Sequence, residues 1–231
     1  MTEKLGIVIA TLNEAERIGK TIDAIRERYK NATLIIVDDC SSDGTAEVAR
    51  KLGCYVPYHE KRLGYSKSLC EGLYLAWNKF NCDYIIEMDA DHPADQIGNF
   101  LKMKNGGNSV IVGYEQDKWK ISRKGACWLA RHLLPLKGVK HPTCGFVLFS
   151  REVLSKIPWQ HLKSKKDAIH IELLLWAWKK RARLYNAKFS GHVGERNYGF
   201  GRMVVWYISF LRLLKLRWLK RGKQERIDYG T

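Results

Sequence analysis

Tyr84-Ile85-Ile86-Glu87-Met88-Asp89-Ala90-Asp91-His92-Pro93 is the stretch from which the fold is read. Its apolar first half reads as a buried strand, and it stops in two carboxylates, Asp89 and Asp91, with one small residue between them. Residues i and i+2 of a strand project to the same side, so both carboxylates can face one site at the strand's carboxyl end. Two hard oxygen ligands converging there suit Mg2+ or Mn2+, held in part by substrate phosphates. A bare Asp-x-Asp also occurs at ordinary solvated strand–loop junctions, so the rest of the chain must decide.

Upstream, Leu5-Gly6-Ile7-Val8-Ile9-Ala10 is a second compact apolar run, followed by a turn and a helix with Asn13 as its cap and Ile18, Ile22 and Ile25 on one face. Residues 33–37 form the next strand, ending in Asp38-Asp39, and a helix covers 46–52. A short strand is expected over 54–58, a helix from Gly64 to 79, and the quoted strand over 84–88. Pro93 opens another helix, where its missing N–H costs nothing; residues 109–113 make a fifth strand and 169–180 a later helix. Strands alternating with helices at this spacing mean βαβ units and a mostly parallel sheet flanked by helices. Ligands of such sheets sit at the carboxyl ends of the strands, where Glu14, Asp38, Asp39, Asp89 and Asp91 all fall.

Composition narrows the partners. A chain of 231 residues can bury a real core, and 45% apolar content fits a globular protein. A formal net charge of +16 points to acidic partners: nucleic acid, an anionic membrane surface or phosphorylated substrates. The six cysteines show no Cys-x-x-Cys and no zinc spacing with histidine, and read as the reduced thiols of a cytosolic protein. No secretory signal pattern opens the chain, and no apolar run is long enough to span a bilayer.

Six stretches together carry a family resemblance. They are Ile9-Ala10-Thr11-Leu12-Asn13-Glu14; Val37-Asp38-Asp39-Cys40-Ser41-Ser42-Asp43-Gly44-Thr45; Met88-Asp89-Ala90-Asp91-His92-Pro93; Ile121-Ser122-Arg123-Lys124-Gly125-Ala126; Pro142-Thr143-Cys144-Gly145-Phe146; and Arg196-Asn197-Tyr198-Gly199 with Arg202 beyond it. In this order they resemble glycosyltransferase family 2 of the GT-A fold, in its dolichol-phosphate mannosyltransferase branch. The resemblance implies transfer of a hexose, mannose from GDP-mannose in the first instance, to a dolichyl or polyprenyl phosphate, by a single inverting displacement. It implies that Asp39 contacts the base, that Ala10, Leu12, Glu14 and Val37 line the nucleoside pocket, and that Asp89, Ala90 and Asp91 hold the diphosphate. Asp89 and Asp91 would carry Mg2+ or Mn2+. Arg196 and Arg202 would meet donor phosphates, Ser122, Arg123 and Arg202 the acceptor phosphate, and Asp91, Arg123 and Arg196 would carry catalysis.

The chain departs from the family pattern at several points. The usual proline and tyrosine of the first motif are Ala10 and Leu12, and Gly113-Tyr114-Glu115 stands where the family has Gly-Ser-Arg. His92-Pro93 follows Asp91 at once, without the intervening Leu-Gln, so His92 or water would replace the glutamine in the metal shell. The final serine-lysine of the family is Gly201-Arg202, which keeps the charge with another geometry.

A phosphate nucleophile is already ionised at neutral pH, so no strong base is required and none of the seven histidines is assigned as one. Glu172 is a secondary candidate on the acceptor side. The glycine-rich stretch 191–201 reads as a loop closing over substrate. The chain divides into a catalytic domain over 1–202, an amphipathic helix over 203–221 suited to a membrane interface, and a polar tail over 222–231. The protein is expected on the cytoplasmic face of a membrane, with or without a membrane-protein partner. Two other readings are a UDP-sugar-dependent polyprenyl-phosphate glucosyltransferase and a binder of nucleotide-sugar without turnover. A nucleic-acid-binding role would explain the charge, but no helix-turn-helix, zinc finger or aromatic RNA-binding motif is present.

Overall fold

The computed structural model describes residues 3–115, 121–166, 168–190 and 207–214, with the side chains of 121–126 excepted. Six strands form one mixed sheet: β1 (Leu5–Thr11), β2 (Thr33–Asp38), β3 (Tyr84–Glu87), β4 (Ser109–Glu115), β5 (Val147–Ser150) and β6 (Arg183–Phe189), in the order β2-β1-β3-β5-β4-β6. The pairs β1–β2, β1–β3 and β4–β6 are parallel, while β5 runs antiparallel to both β3 and β4. The helices are α1 (Ala15–Arg28), α2 (Thr45–Lys51), α3 (Tyr65–Asn78), α4 (Ile97–Lys102), α5 (Ile121–Leu133), α6 (Arg151–Ser155) and α7 (Ala168–Lys179). A further helix covers 207–214.

The first three strands are near-continuous apolar runs because helices cover them, and Ile7, Val8, Ile9, Ile35, Ile36, Ile85 and Ile86 are all fully buried. Helix α1 turns Ile18, Ile22 and Ile25 inward at the expected helical spacing. Helix α7 is buried on almost every side, which explains why its sequence is apolar with little periodicity.

Three expectations are corrected. Residues 54–58 do not form a strand: only Tyr55 bridges Ile35, through Tyr55 N–H to the Leu34 carbonyl and Ile36 N–H to the Tyr55 carbonyl. Pro57 has no N–H with which to continue the ladder. The last strands of the sheet come instead from β5 and β6. Asn13 does not cap α1. It sits at φ 56°, and its side-chain oxygen accepts from Ser42 N–H at 3.0 Å. The helix opens at Ala15, whose N–H donates to Asp43, while Glu14 N–H donates to Thr45 and Asn13 N–H to Ser41. The neighbouring 41–45 loop thus meets the first helical N–H, that of Ala15, and those of the two residues before it. Pro93 opens a 3-10 turn, Ala94–Gln96, ahead of α4.

Helix α3 crosses the sheet where it has no side chain. A Cβ on Gly72 would lie 2.4 Å from Val8 Cγ1 and 2.9 Å from Val37 Cγ2, both in the core. Gly72→Ala should therefore cost about 1–3 kcal/mol through overpacking, seen as a drop of roughly 5 °C in thermal midpoint. An unchanged melt would mean that α3 rides higher over β1 and β2.

Candidate active site

At the carboxyl end of β2 two adjacent acids do different work. Asp38 accepts from the Thr11 hydroxyl at 3.2 Å and from Ser41 N–H at 2.9 Å, and so ties β1 to the loop that caps α1. Asp39 accepts from Leu63 N–H at 2.6 Å, from Gly64 N–H at 3.0 Å and from the Ser68 hydroxyl at 3.3 Å, and so clasps the start of α3. Both are buried, and a buried carboxylate needs such donors. His59 lies beside Asp39. Its Nδ1 is 4.0 Å from Asp39 Oδ1, its Nε2 is 2.6 Å from Glu71 Oε2, and its side chain is 3% exposed.

At the carboxyl end of β3, Met88 N–H still bonds the Val8 carbonyl, and the chain then turns through Asp89, Ala90 and Asp91. The Thr21 hydroxyl of α1 donates to the Ala90 carbonyl at 2.6 Å and pins this turn. One ligand atom each from Asp89, Asp91 and His92 lie within 4.8 Å of one another. Two carboxylates at this spacing fit a hard divalent cation such as Mg2+ or Mn2+. His92 has a prior engagement: Asp89 N–H donates to its Nδ1 at 2.7 Å, and the ring is stacked on Phe146 and meets the Phe189 edge. It therefore shapes the turn that presents Asp89, as partners behind metal ligands commonly do.

The remaining expected residues are placed as follows. Ala10 is half-buried, Leu12 is 41% exposed, and Glu14 is ion-paired with Arg17 at 3.2 Å. Val37 packs wholly in the core against the Gly72 backbone. Ser122 and Arg123 lie on α5, with side chains outside the described set. Arg196, Arg202, the 191–201 loop and most of 203–231 also lie outside the described residues. Glu172 is buried and accepts from Lys163 N–H at 3.1 Å and Ser164 N–H at 2.7 Å, so it anchors the loop before α7.

The sequence reading passed over a second polar group. Glu87, the last residue of β3, is fully buried, and its Oε1 lies 2.7 Å from His170 Nε2 on α7 and 3.5 Å from the Tyr65 hydroxyl on α3. Burial, with the Asp89 charge adding to it, pushes the Glu87 carboxyl well above the usual carboxylate range. Burial likewise pushes the nearby Cys70 thiol up to about 12, with Glu87 and Glu172 contributing, which leaves it an inert packed thiol. The signal for Glu87 was available: Glu87, Asp89 and Asp91 alternate at i, i+2 and i+4, with an acid inside an apolar run.

Comparison with known proteins bears on this arrangement. The family model described as glycosyl transferase family 2 matches residues 6–157. The dolichol-phosphate mannosyltransferase of Pyrococcus furiosus is 28% identical over 67% of this chain, which spans about half (48%) of that relative's length. The polyprenol monophosphomannose synthase of Mycolicibacterium smegmatis is 24% identical, over 97% of this chain and 90% of its own. Among solved structures, glucosyl-3-phosphoglycerate synthase of Mycobacterium tuberculosis, in complex with Mn2+ and UDP-glucose, superposes with a TM-score of 0.72. The match covers 95% of this chain and 81% of that one at 19% identity, a likeness of fold. The sheet and its flanking helices are those of a GT-A glycosyltransferase.

His92→Phe keeps the ring stack and removes the acceptor of Asp89 N–H. It should weaken Mn2+ binding about 10-fold, measured by calorimetric titration, with little change in thermal midpoint. Unchanged affinity would separate His92 from the geometry of Asp89.

Proposed function

This chain belongs to glycosyl transferase family 2, and we propose that it transfers a hexose, mannose from GDP-mannose in the first instance, to a dolichyl or polyprenyl phosphate. The observation that carries the reading is the convergence of Asp89 and Asp91 at the end of β3, level with the Asp39 loop. The relatives support the acceptor: a dolichol-phosphate mannosyltransferase, a polyprenol monophosphomannose synthase and an undecaprenyl-phosphate mannosyltransferase. The enzyme of Haloferax volcanii, a dolichyl-phosphate hexose transferase at 28% identity, supports the chemistry while naming no single sugar.

In this reading Asp39 contacts the base from the loop it clasps, while Ala10, Leu12 and Glu14 border the nucleoside. Asp89 and Asp91 are the ligands of the divalent cation. When bound, that cation supplies Lewis-acid neutralisation of the departing diphosphate. Arg196 holds donor phosphate, Arg123 and Arg202 orient the acceptor phosphate by forked, charge-assisted bonds, and Ser122 adds a single hydroxyl donor to it. The acceptor oxygen arrives ionised, so the protein need only align it with the anomeric carbon and exclude water.

A lipid acceptor calls for a seat at a membrane surface. The 207–214 helix turns Ser209, Phe210 and Leu213 inward and leaves Tyr207, Ile208 and Leu211 exposed. Among the described residues no helix is long and apolar enough to cross a bilayer. An exposed apolar row on a helix, in a chain of net charge +16, suits the headgroup region of an anionic leaflet.

Transfer of radiolabelled mannose from GDP-mannose to a short polyprenyl phosphate with Mg2+ or Mn2+, run beside UDP-glucose, tests the reaction. Asp91→Ala should lower turnover by about 100-fold or more. Product from UDP-glucose alone would replace the sugar and keep the mechanism; product from neither donor would overturn the reading. Ile208→Glu with Leu211→Glu should cut binding to phosphatidylglycerol vesicles by roughly 10-fold or more, read by co-sedimentation. Unchanged sedimentation would place the membrane seat elsewhere.

A further inference from the structure

His59 is the exception in its loop. Between Pro57 and α3 the chain is exposed at Tyr58 and from Glu60 to Gly64, yet the His59 side chain is only 3% exposed. Burying an imidazole is costly unless its nitrogens are met. One of them is met: Nε2 lies 2.6 Å from Glu71 Oε2 on α3, and because a carboxylate oxygen accepts, Nε2 donates. The other, Nδ1, has no hydrogen-bond partner among the described residues and faces Asp39 Oδ1 at 4.0 Å. The ring is therefore tied at one end and directed at Asp39 by the other.

The same residue also grips the turn that follows Asp39. The Cys40 thiol donates to the His59 carbonyl at 3.3 Å. Cys40 sits at φ 58°, in the left-handed region that side chains seldom adopt. Such a conformation persists only where its surroundings hold it. His59 thus meets this turn twice, with its ring facing Asp39 and its carbonyl on Cys40.

Helix α3 completes the arrangement. Ser68 and Glu71 are three residues apart and so share one helix face; the first donates its hydroxyl to Asp39 Oδ1 at 3.3 Å and the second holds His59. Leu63 N–H also donates to Oδ1, at 2.6 Å, and Gly64 N–H is shared between Oδ1 at 3.1 Å and Oδ2 at 3.0 Å. The fixings of Asp39 therefore converge on Oδ1, which sets the plane of the carboxylate and leaves Oδ2 with capacity to accept. We propose that His59 and Glu71 are positioning residues for nucleotide recognition: Glu71 locks the His59 ring, and His59 holds Asp39 and the Cys40 turn in the direction that presents the carboxylate to the base. Neither residue touches the nucleotide. The inference rests on the reading above in which Asp39 contacts the base, and adds the brace behind that contact.

Calorimetric titration of the full chain with Mn2+ alone, and then with GDP and with UDP in Mn2+, tests it. For the nucleotide that wild type binds more tightly, His59→Phe should weaken affinity about fivefold, the loss expected for one hydrogen bond, while Mn2+ affinity stays within about twofold. Glu71→Leu alters a side chain that is 35% exposed, serves if the His59 variant folds poorly, and should act in the same direction. Glu71→Gln keeps an acceptor for Nε2–H and should restore affinity to within about twofold of wild type. A general loss of structure would lower Mn2+ and nucleotide affinity together. That outcome, or nucleotide affinity unchanged in both His59→Phe and Glu71→Leu, would overturn the brace while leaving the nucleotide-sugar reading intact. Wild type that binds neither nucleotide would overturn both.

Discussion

Strand β1 bonds β2 on one side and β3 on the other, in parallel, and its last ladder bonds set where both acidic loops leave the sheet. Thr11 carbonyl takes Asp39 N–H at 2.9 Å, and Val8 carbonyl takes Met88 N–H at 3.1 Å. Side chains alternate along a strand, so a one-residue slip on either side would turn a carboxylate from the site into the core. The slip is prevented by burial: Ile7, Val8 and Ile9 are fully enclosed, and Gly72 lets α3 press on Val8 and Val37 with no spare volume. The chemistry of the site depends on a packing constraint well beneath it.

Above the sheet the loops lock one another. The 41–45 loop caps α1, Asp38 holds that loop, Asp39 holds the start of α3, and Thr21 on α1 holds the Ala90 turn. Asp38 and Asp39 are themselves buried, and leaving either without its donors would cost about 1–3 kcal/mol. Asp38 and Asp39 are adjacent in sequence, yet one serves α1, the helix before β2, and the other α3, the second helix beyond it. That division explains why both are acids.

Much of this was legible in the sequence, for reasons visible residue by residue. Strands β1 to β4 could be read because sustained apolar runs stop at polar loops, and the paired acids could be read from their i, i+2 spacing. Residues 54–58 misled because they are apolar enough for a strand, while Pro57 forbids the ladder. Strand β5 was hidden by its four-residue length, and β6 by a mixture such as Arg183, Asn186 and Lys188 that follows no clean alternation. Asn13 looked like a cap because its residue type caps helices, but the donors were met from residues 28 to 31 positions away. The Tyr65–Glu87–His170 cluster depends on partners up to 105 residues apart, which no local pattern encodes.

Charge gives the site its remaining logic. The chain carries +16 overall, yet Asp38, Asp39, Glu87, Asp89 and Asp91 gather at the carboxyl ends of two strands, β2 and β3. The global field draws anions toward the protein, whereas the local carboxylates would repel a diphosphate. Asp38 and Asp39 are quieted by N–H and hydroxyl donors, and burial holds Glu87 toward its neutral form. Asp89 and Asp91 complete the acidic cluster, and in the proposed reading a divalent cation held there would reverse the sign of the site for an incoming diphosphate. On the proposed reading, a basic protein keeps an acidic centre because a cation would complete it.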